Sequence, residues 1–124
     1  MQKTIAKEVS LEGIGLHTGK QTHLRFIPSD TDQGITFKRK DLPPGKIVSL
    51  RDFEFGLHQR RTSILKDGVE IHTVEHLMAA LWALSIDNIM IETDSPELPG
   101  LDGSAKGYYD CLKTAGIKEQ SGTR

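Results

Sequence analysis

Near the middle of the chain, a strand pattern runs without a spacer into a helix start. Arg60-Arg61-Thr62-Ser63-Ile64-Leu65-Lys66 faces Val69-Glu70-Ile71-His72 across Asp67-Gly68, and Asp-Gly between two such runs is a strong hairpin signal. The second run leads directly into Thr73-Val74-Glu75-His76-Leu77-Met78-Ala79-Ala80-Leu81. Thr73 is the expected N-cap, and Val74, Leu77, Leu81 and Leu84 fall at helical spacing, giving an amphipathic helix over roughly 74–84. The junction fixes a helix N-terminus at a sheet edge and carries Glu75 and His76 there. A helix N-terminus favours negative charge and disfavours positive charge. An ionised carboxylate accepts protons, and neutral imidazole is the metal-binding form. The plain structural alternative is a solvated Glu and a partly buried His on an ordinary helix.

The rest of the chain supplies the sheet for that edge. Residues 2–9 mix Thr, Ile and Val with charge and read as one half-buried strand. Leu11-Glu12-Gly13-Ile14-Gly15-Leu16-His17-Thr18-Gly19 reads as a tight loop, since three of its residues are glycine. A phosphate-binding reading of Gly-x-Gly fails, because the dinucleotide spacing, the Lys-Ser/Thr pair and the following helix are all missing. Thr22–Ile27 alternates with Leu24 and Phe26 inward until Pro28, and 34–39 alternates with Ile35 and Phe37 inward. These two strands are expected to pair as a hairpin, with His23 facing solvent. Residues 46–59 show no clear period and read as irregular strand and loop.

After the helix, 86–93 reads as a strand with Ile89 and Ile91 on one side. Ser95–Gly100 is a loop. A second helix follows, with Ser104 or Asp102 as cap, Tyr108, Cys111, Leu112 and Ala115 as its apolar stripe, and Gly116 as its stop. Residues 1–117 are expected to form one domain, and 118–124 a tail or severed linker. The order predicts an α+β fold: a two-layer sandwich with a mostly antiparallel sheet and two helices packed on one face.

Composition narrows the function classes. Charged residues make up 27% and nearly balance, with net charge −1, so nothing marks a nucleic-acid binder. No apolar run approaches the ~20 residues of a membrane span, and Lys3 and Lys7 interrupt any secretory core. The single cysteine, Cys111, has no internal disulfide partner. The expectation is a cytoplasmic domain of 124 residues, large enough to bury roughly two-thirds of its unfolded surface.

Two chemistries fit the carboxylate–histidine pair. His72-Thr73-Val74-Glu75-His76 matches H-x-x-E-H, the inverted-zincin pattern of a metalloprotease, which needs both histidines on one helix face. His72 reads as strand, so the context is wrong for it. The other chemistry comes from several separated motifs in one order: Leu11–Gly19, Thr73-Val74-Glu75-His76-Leu77, Asp87-Asn88, and Pro96-Glu97-Leu98-Pro99 followed by Leu101-Asp102-Gly103-Ser104-Ala105. In these the chain resembles the N-terminal domain of the UDP-3-O-acyl-N-acetylglucosamine deacetylases, zinc hydrolases of lipid A synthesis in Gram-negative bacteria. The likeness runs from about Gln2 to Ile117.

The resemblance implies that His76 is a zinc ligand and Glu75 the base that takes a proton from the attacking water. It puts Leu16 and His17 at the edge of the site and Arg60 and Arg61 near the substrate channel. The substrate it implies is a UDP-linked, acylated glucosamine. Gly100 departs from the large aliphatic residue usual in the family. A catalytic zinc usually has three protein ligands. The resemblance places the other two in a C-terminal half of the same enzyme, so the chain by itself is expected to bind zinc weakly and not to deacetylate. The alternative class is a non-catalytic association domain of the same fold.

Overall fold

The computed structural model describes residues 1–15, 19–41, 47–49, 54–58, 61–66, 69–72, 74–100 and 105–121, with the backbone alone described for the strands between 47 and 70. The chain runs β1 (Gln2–Ile5), β2 (Val9–Ile14), β3 (Gln21–Pro28), β4 (Ile35–Arg39), β5 (Ile47–Ser49), β6 (Glu54–His58), β7 (Arg61–Lys66), β8 (Val69–His72), α1 (Glu75–Ala83), β9 (Ile89–Thr93), α2 (Lys106–Ala115) and β10 (Ile117–Gln120). Five strands form the main sheet in the order β2-β3-β9-β4-β5; β6-β7-β8 form a second sheet and β1-β10 a third. Within these sheets the pairings are antiparallel except β4 with β9. This is the expected α+β class, mostly antiparallel with helices packed on sheet.

Alternation divides the main sheet into two faces. Leu24, Phe26, Phe37, Ile89 and Ile91 point inward and are at most 2% exposed. Leu77, Ala80 and Leu81 of α1 and Tyr108, Leu112 and Ala115 of α2 complete the same core. Fully burying one such large apolar side chain is worth roughly 1.5–3 kcal/mol, so this face holds the domain together. The other face is charged. Glu92 is 5% exposed on the central strand, and its carboxylate receives Arg25 at 3.3 Å, Lys40 at 3.6 Å and Lys38 at 3.8 Å. A buried charge persists only when compensated in this way.

Several sequence expectations need correction. Residues 2–9 are not one strand: the chain leaves β1 at the exposed Ala6, Lys7 and Glu8 and begins β2 in another sheet. The glycine loop is shorter than expected, because Leu11–Ile14 continue β2. Gly19 takes a positive φ of 71° there, and its N–H donates to the Gly15 carbonyl at 2.9 Å. β3 and β4 do not pair with each other. β9 lies between them, as the strand whose Ile89, Ile91, Glu92 and Thr93 are all buried. The region read as irregular strand and loop, by contrast, does contain two short strands, β5 and β6.

Residues 118–120, expected to begin a tail, form β10 with Ile117 and pair with β1, from Gln2↔Gln120 to Ile5↔Ile117. Asp87 and Asn88 fasten that ribbon to the main sheet. The Lys3 N–H donates to the Asp87 carboxylate at 2.8 Å. The Asn88 amide donates to the side-chain oxygens of Gln2 and Gln120 and accepts from the Gly34 N–H, each at 2.8 Å. Asn88 is 1% exposed, and these bonds satisfy its buried polar atoms.

Candidate active site

β7 and β8 pair antiparallel with Lys66 opposite Val69, as the hairpin signal required, and β8 ends at His72. Helix α1 starts three residues later at Glu75. Its N-cap is Val74, whose φ of −91° and ψ of −10° are already helical, and no side chain caps the first turn. The expected cap, Thr73, lies outside the described residues. Val74 is fully buried and pins the helix end, while Glu75 and His76 are half-buried. Among the described residues, Glu75 Oε2 is the one buried side-chain nitrogen or oxygen without a hydrogen-bond partner. A buried carboxylate oxygen left unpaired costs stability, and such exceptions mark catalytic roles or an absent ion or water.

The loop after β9 braces this helix end. The His72 N–H donates to the Pro96 carbonyl at 2.6 Å, and the Leu98 N–H donates to the His72 carbonyl at 3.0 Å. The Thr22 hydroxyl donates to the Glu97 carbonyl at 3.2 Å, and the Gly100 N–H to the Ile14 carbonyl at 3.0 Å. The Tyr108 hydroxyl donates to the Pro99 carbonyl. Glu97, Leu98 and Tyr108 are fully buried. Burial, then the fields of Glu75 and Glu97, push the Tyr108 phenol well above its ordinary 10 and keep it a neutral donor.

Of the residues singled out in sequence, Glu75 and His76 come together as neighbours in the first turn of α1. Adjacent helical residues diverge by about 100°, so the two side chains leave the helix in different directions. Leu16, His17 and Arg60 lie outside the described residues. Arg61 opens β7 opposite His58. His72 belongs to β8 and is 8% exposed, so H-x-x-E-H does not place two histidines on one helix face. His23 sits on the charged sheet face, with Nε2 at 2.9 Å from Glu12 and Nδ1 at 3.0 Å from Asp94.

A cavity of about 380 Å³ opens on that same face, among Glu12, His23, Arg25, Lys40, Glu92 and Asp94. No α1 residue lines it. Its charged groups already engage one another, so it is an ion-pair network over a sheet and not the partner of Glu75. Among the described residues, no group of three or more His, Cys, Asp or Glu side chains is arranged to hold a metal. His76 therefore offers one donor, with the orphaned Glu75 oxygen beside it. Glu97 and Tyr108 are the residues that sequence reasoning missed. Glu97 lay in a named motif and Tyr108 in a core stripe, and neither position signalled contact with the Glu75 end of α1.

Comparison with known proteins gives this geometry a context. The family model for UDP-3-O-acyl N-acetylglycosamine deacetylase matches residues 2–124. The chain is 45% identical to the UDP-3-O-acyl-N-acetylglucosamine deacetylase of Thermodesulfovibrio yellowstonii, over 98% of this chain and 41% of the relative. It is 40% identical to that of Francisella tularensis, over 99% and 44%, and 38% identical to that of Saccharophagus degradans, over 99% and 41%. The chain thus spans about two-fifths of the length of these curated relatives, matching their N-terminal portion.

Proposed function

This chain belongs to the UDP-3-O-acyl N-acetylglycosamine deacetylase family, and from that premise we propose that it is the N-terminal part of a zinc-dependent deacetylase. In this proposal the complete enzyme removes the N-acetyl group from a UDP-linked, 3-O-acylated glucosamine in the cytoplasm, as a step of lipid A synthesis. One observation carries the proposal: the unpartnered, buried Oε2 of Glu75 beside His76 at the start of α1. A carboxylate poised in this way accepts a proton from water as it attacks the amide, a contribution typically worth ~10²–10⁴-fold. His76 would be one of the zinc's donors. When bound, the metal supplies Lewis-acid polarisation of the amide carbonyl and acidifies water toward a pKa of ~7. Leu16 and His17 would line the edge of the site, and Arg60 and Arg61 would meet the substrate.

The remaining donors would come from the C-terminal half of the same enzyme. The outer side of α1 supports such a partner. Ala79, Trp82 and Ala83 are exposed there, Trp82 to 86%, and the helix carries no charged residue beyond its first turn. An apolar surface on a helix that is hydrophobic nearly all round asks to be covered.

The test mixes this chain with a separately produced C-terminal portion of the Thermodesulfovibrio yellowstonii relative and measures deacetylation. The expected result is zinc-dependent activity from the mixture and none from this chain alone. Glu75→Gln should lower that activity by ~10²–10⁴-fold with the fold intact, and His76→Ala should weaken zinc binding. Turnover by the isolated chain with stoichiometric zinc would refute the half-site proposal. The same apolar face of α1 favours a second class, a non-catalytic association domain. Association with the C-terminal portion but no chemistry would select it.

A further inference from the structure

We propose that Tyr108 is a positioning residue for the Glu75–His76 end of α1, acting through the Pro96–Gly100 segment that its hydroxyl fastens to α2. The inference deepens the proposed function and rests on it for its catalytic meaning, but its structural content stands by itself.

The segment has no secondary structure of its own beyond the isolated bridge between Glu97 and His72. It is nevertheless buried at Glu97, Leu98, Pro99 and Gly100. Its shape is therefore set by tethers to other elements. On one side it holds both backbone groups of His72, the last residue of β8 before α1. On another, Gly100 holds Ile14, the end of β2. Thr22 of β3 holds Glu97. Tyr108 is the tether from the helix layer.

The chemistry of the Tyr108 hydroxyl suits this task. A phenol has one proton to donate, and here it goes to a backbone carbonyl that would otherwise lie buried beside a proline. Burial and two nearby carboxylates keep the phenol neutral, so the tether does not lapse across the physiological range. Phenylalanine would fill the same space and lose only this bond. The end of β8 that leads into α1 and the end of β2 both hang from a segment that one hydroxyl steadies.

The experiment compares Tyr108→Phe with the unaltered chain in two ways. Amide hydrogen exchange should quicken by about threefold to tenfold at His72, Leu98 and Gly100, the donors of the other tethers, and stay unchanged at Phe26 and Ile91 in the β3–β9 ladder. The NMR ring signals of His76 should shift, while those of His23 on the charged sheet face stay in place. Thr22→Val, which cuts a second tether of the same segment, should reproduce the pattern more weakly. Unchanged exchange at the three amides, exchange that rises uniformly across the domain, or an unmoved His76 ring would overturn the inference. In the mixture with the C-terminal portion, Tyr108→Phe should lower kcat by about threefold to tenfold with KM unchanged; a fall in KM-dependent binding alone would also count against it. If the unaltered mixture has no activity, the proposed function fails, and the exchange and ring signals still decide the role of Tyr108.

Discussion

The two helices share one core and differ in what they show to the other side. α2 is a finished surface helix. Tyr108, Leu112 and Ala115 are buried, while Lys106, Asp110, Lys113 and Thr114 face solvent, and Lys106 pairs with Asp110 at 3.2 Å across one turn. α1 buries Leu77, Ala80 and Leu81 equally well, but its opposite side presents Ala79, Trp82 and Ala83. Its two ionisable groups, Glu75 and His76, crowd into the first turn. The inner faces say how the domain folds. The outer faces differ in that only α1 leaves an apolar surface uncovered among the described residues.

Three measurements would break or sharpen that contrast. The largest effect belongs to the inner faces, where the helices should behave alike. Leu77→Ala in α1 and Leu112→Ala in α2 should each cost about 2–5 kcal/mol in denaturant unfolding, since both side chains are fully buried. A cost for Leu77 well below that of Leu112 would mean that α1 is held to the core more loosely than α2.

The next effect separates the outer faces. Trp82→Glu should leave the stability of the chain within about 0.5 kcal/mol, as surface changes usually do. It should weaken binding to the C-terminal portion of a relative by about 2 kcal/mol or more, roughly 30-fold, as the loss of an aromatic anchor does. Lys113→Glu on α2 should leave that binding unchanged. Calorimetric titration of both variants decides the matter, and equal losses from the two would erase the distinction.

The smallest effect concerns the residue that links the helices. The folded state holds the Tyr108 phenol neutral beyond its ordinary 10, whereas an unfolded chain ionises it near ~10. Its contribution to stability is therefore intact below pH ~10 and declines as pH rises above that value, because only the unfolded state releases the proton. Glu75 and Glu97 face the phenol and act in the same direction as burial. The difference in melting temperature between the unaltered chain and Tyr108→Phe should shrink from pH 9 to pH 11. A constant difference over that window would show that the hydroxyl ionises as readily folded as unfolded.

Much of this protein could be read without coordinates. Alternation at Leu24, Phe26, Ile89 and Ile91 identified the inner face of two strands, and helical spacing at Leu77, Leu81, Tyr108, Leu112 and Ala115 identified the buried stripes of both helices. The Asp-Gly signal located the β7–β8 hairpin, and its run into Thr73 put Glu75 and His76 at the head of α1. These features are local: each depends on the side-chain period and the turn chemistry of a few consecutive residues. The family resemblance was also legible, because it rests on motifs in order.

Partner choice was decided only in three dimensions. Period tells which side of a strand is buried and leaves open which strand lies beside it. β9 displaced the expected β3–β4 pairing because a strand buried on both faces gains most at the centre of the sheet. The expected tail became β10 because Asn88, 86 residues from Gln2 and 32 from Gln120, could satisfy its buried amide on both. The bracing of His72 by Pro96 and Leu98 and the approach of Tyr108 to Pro99 likewise join residues that no local pattern relates. Local sequence placed Glu75 and His76 at the start of α1; packing among distant segments holds that helix end in place, with Glu75 Oε2 unpaired among the described residues.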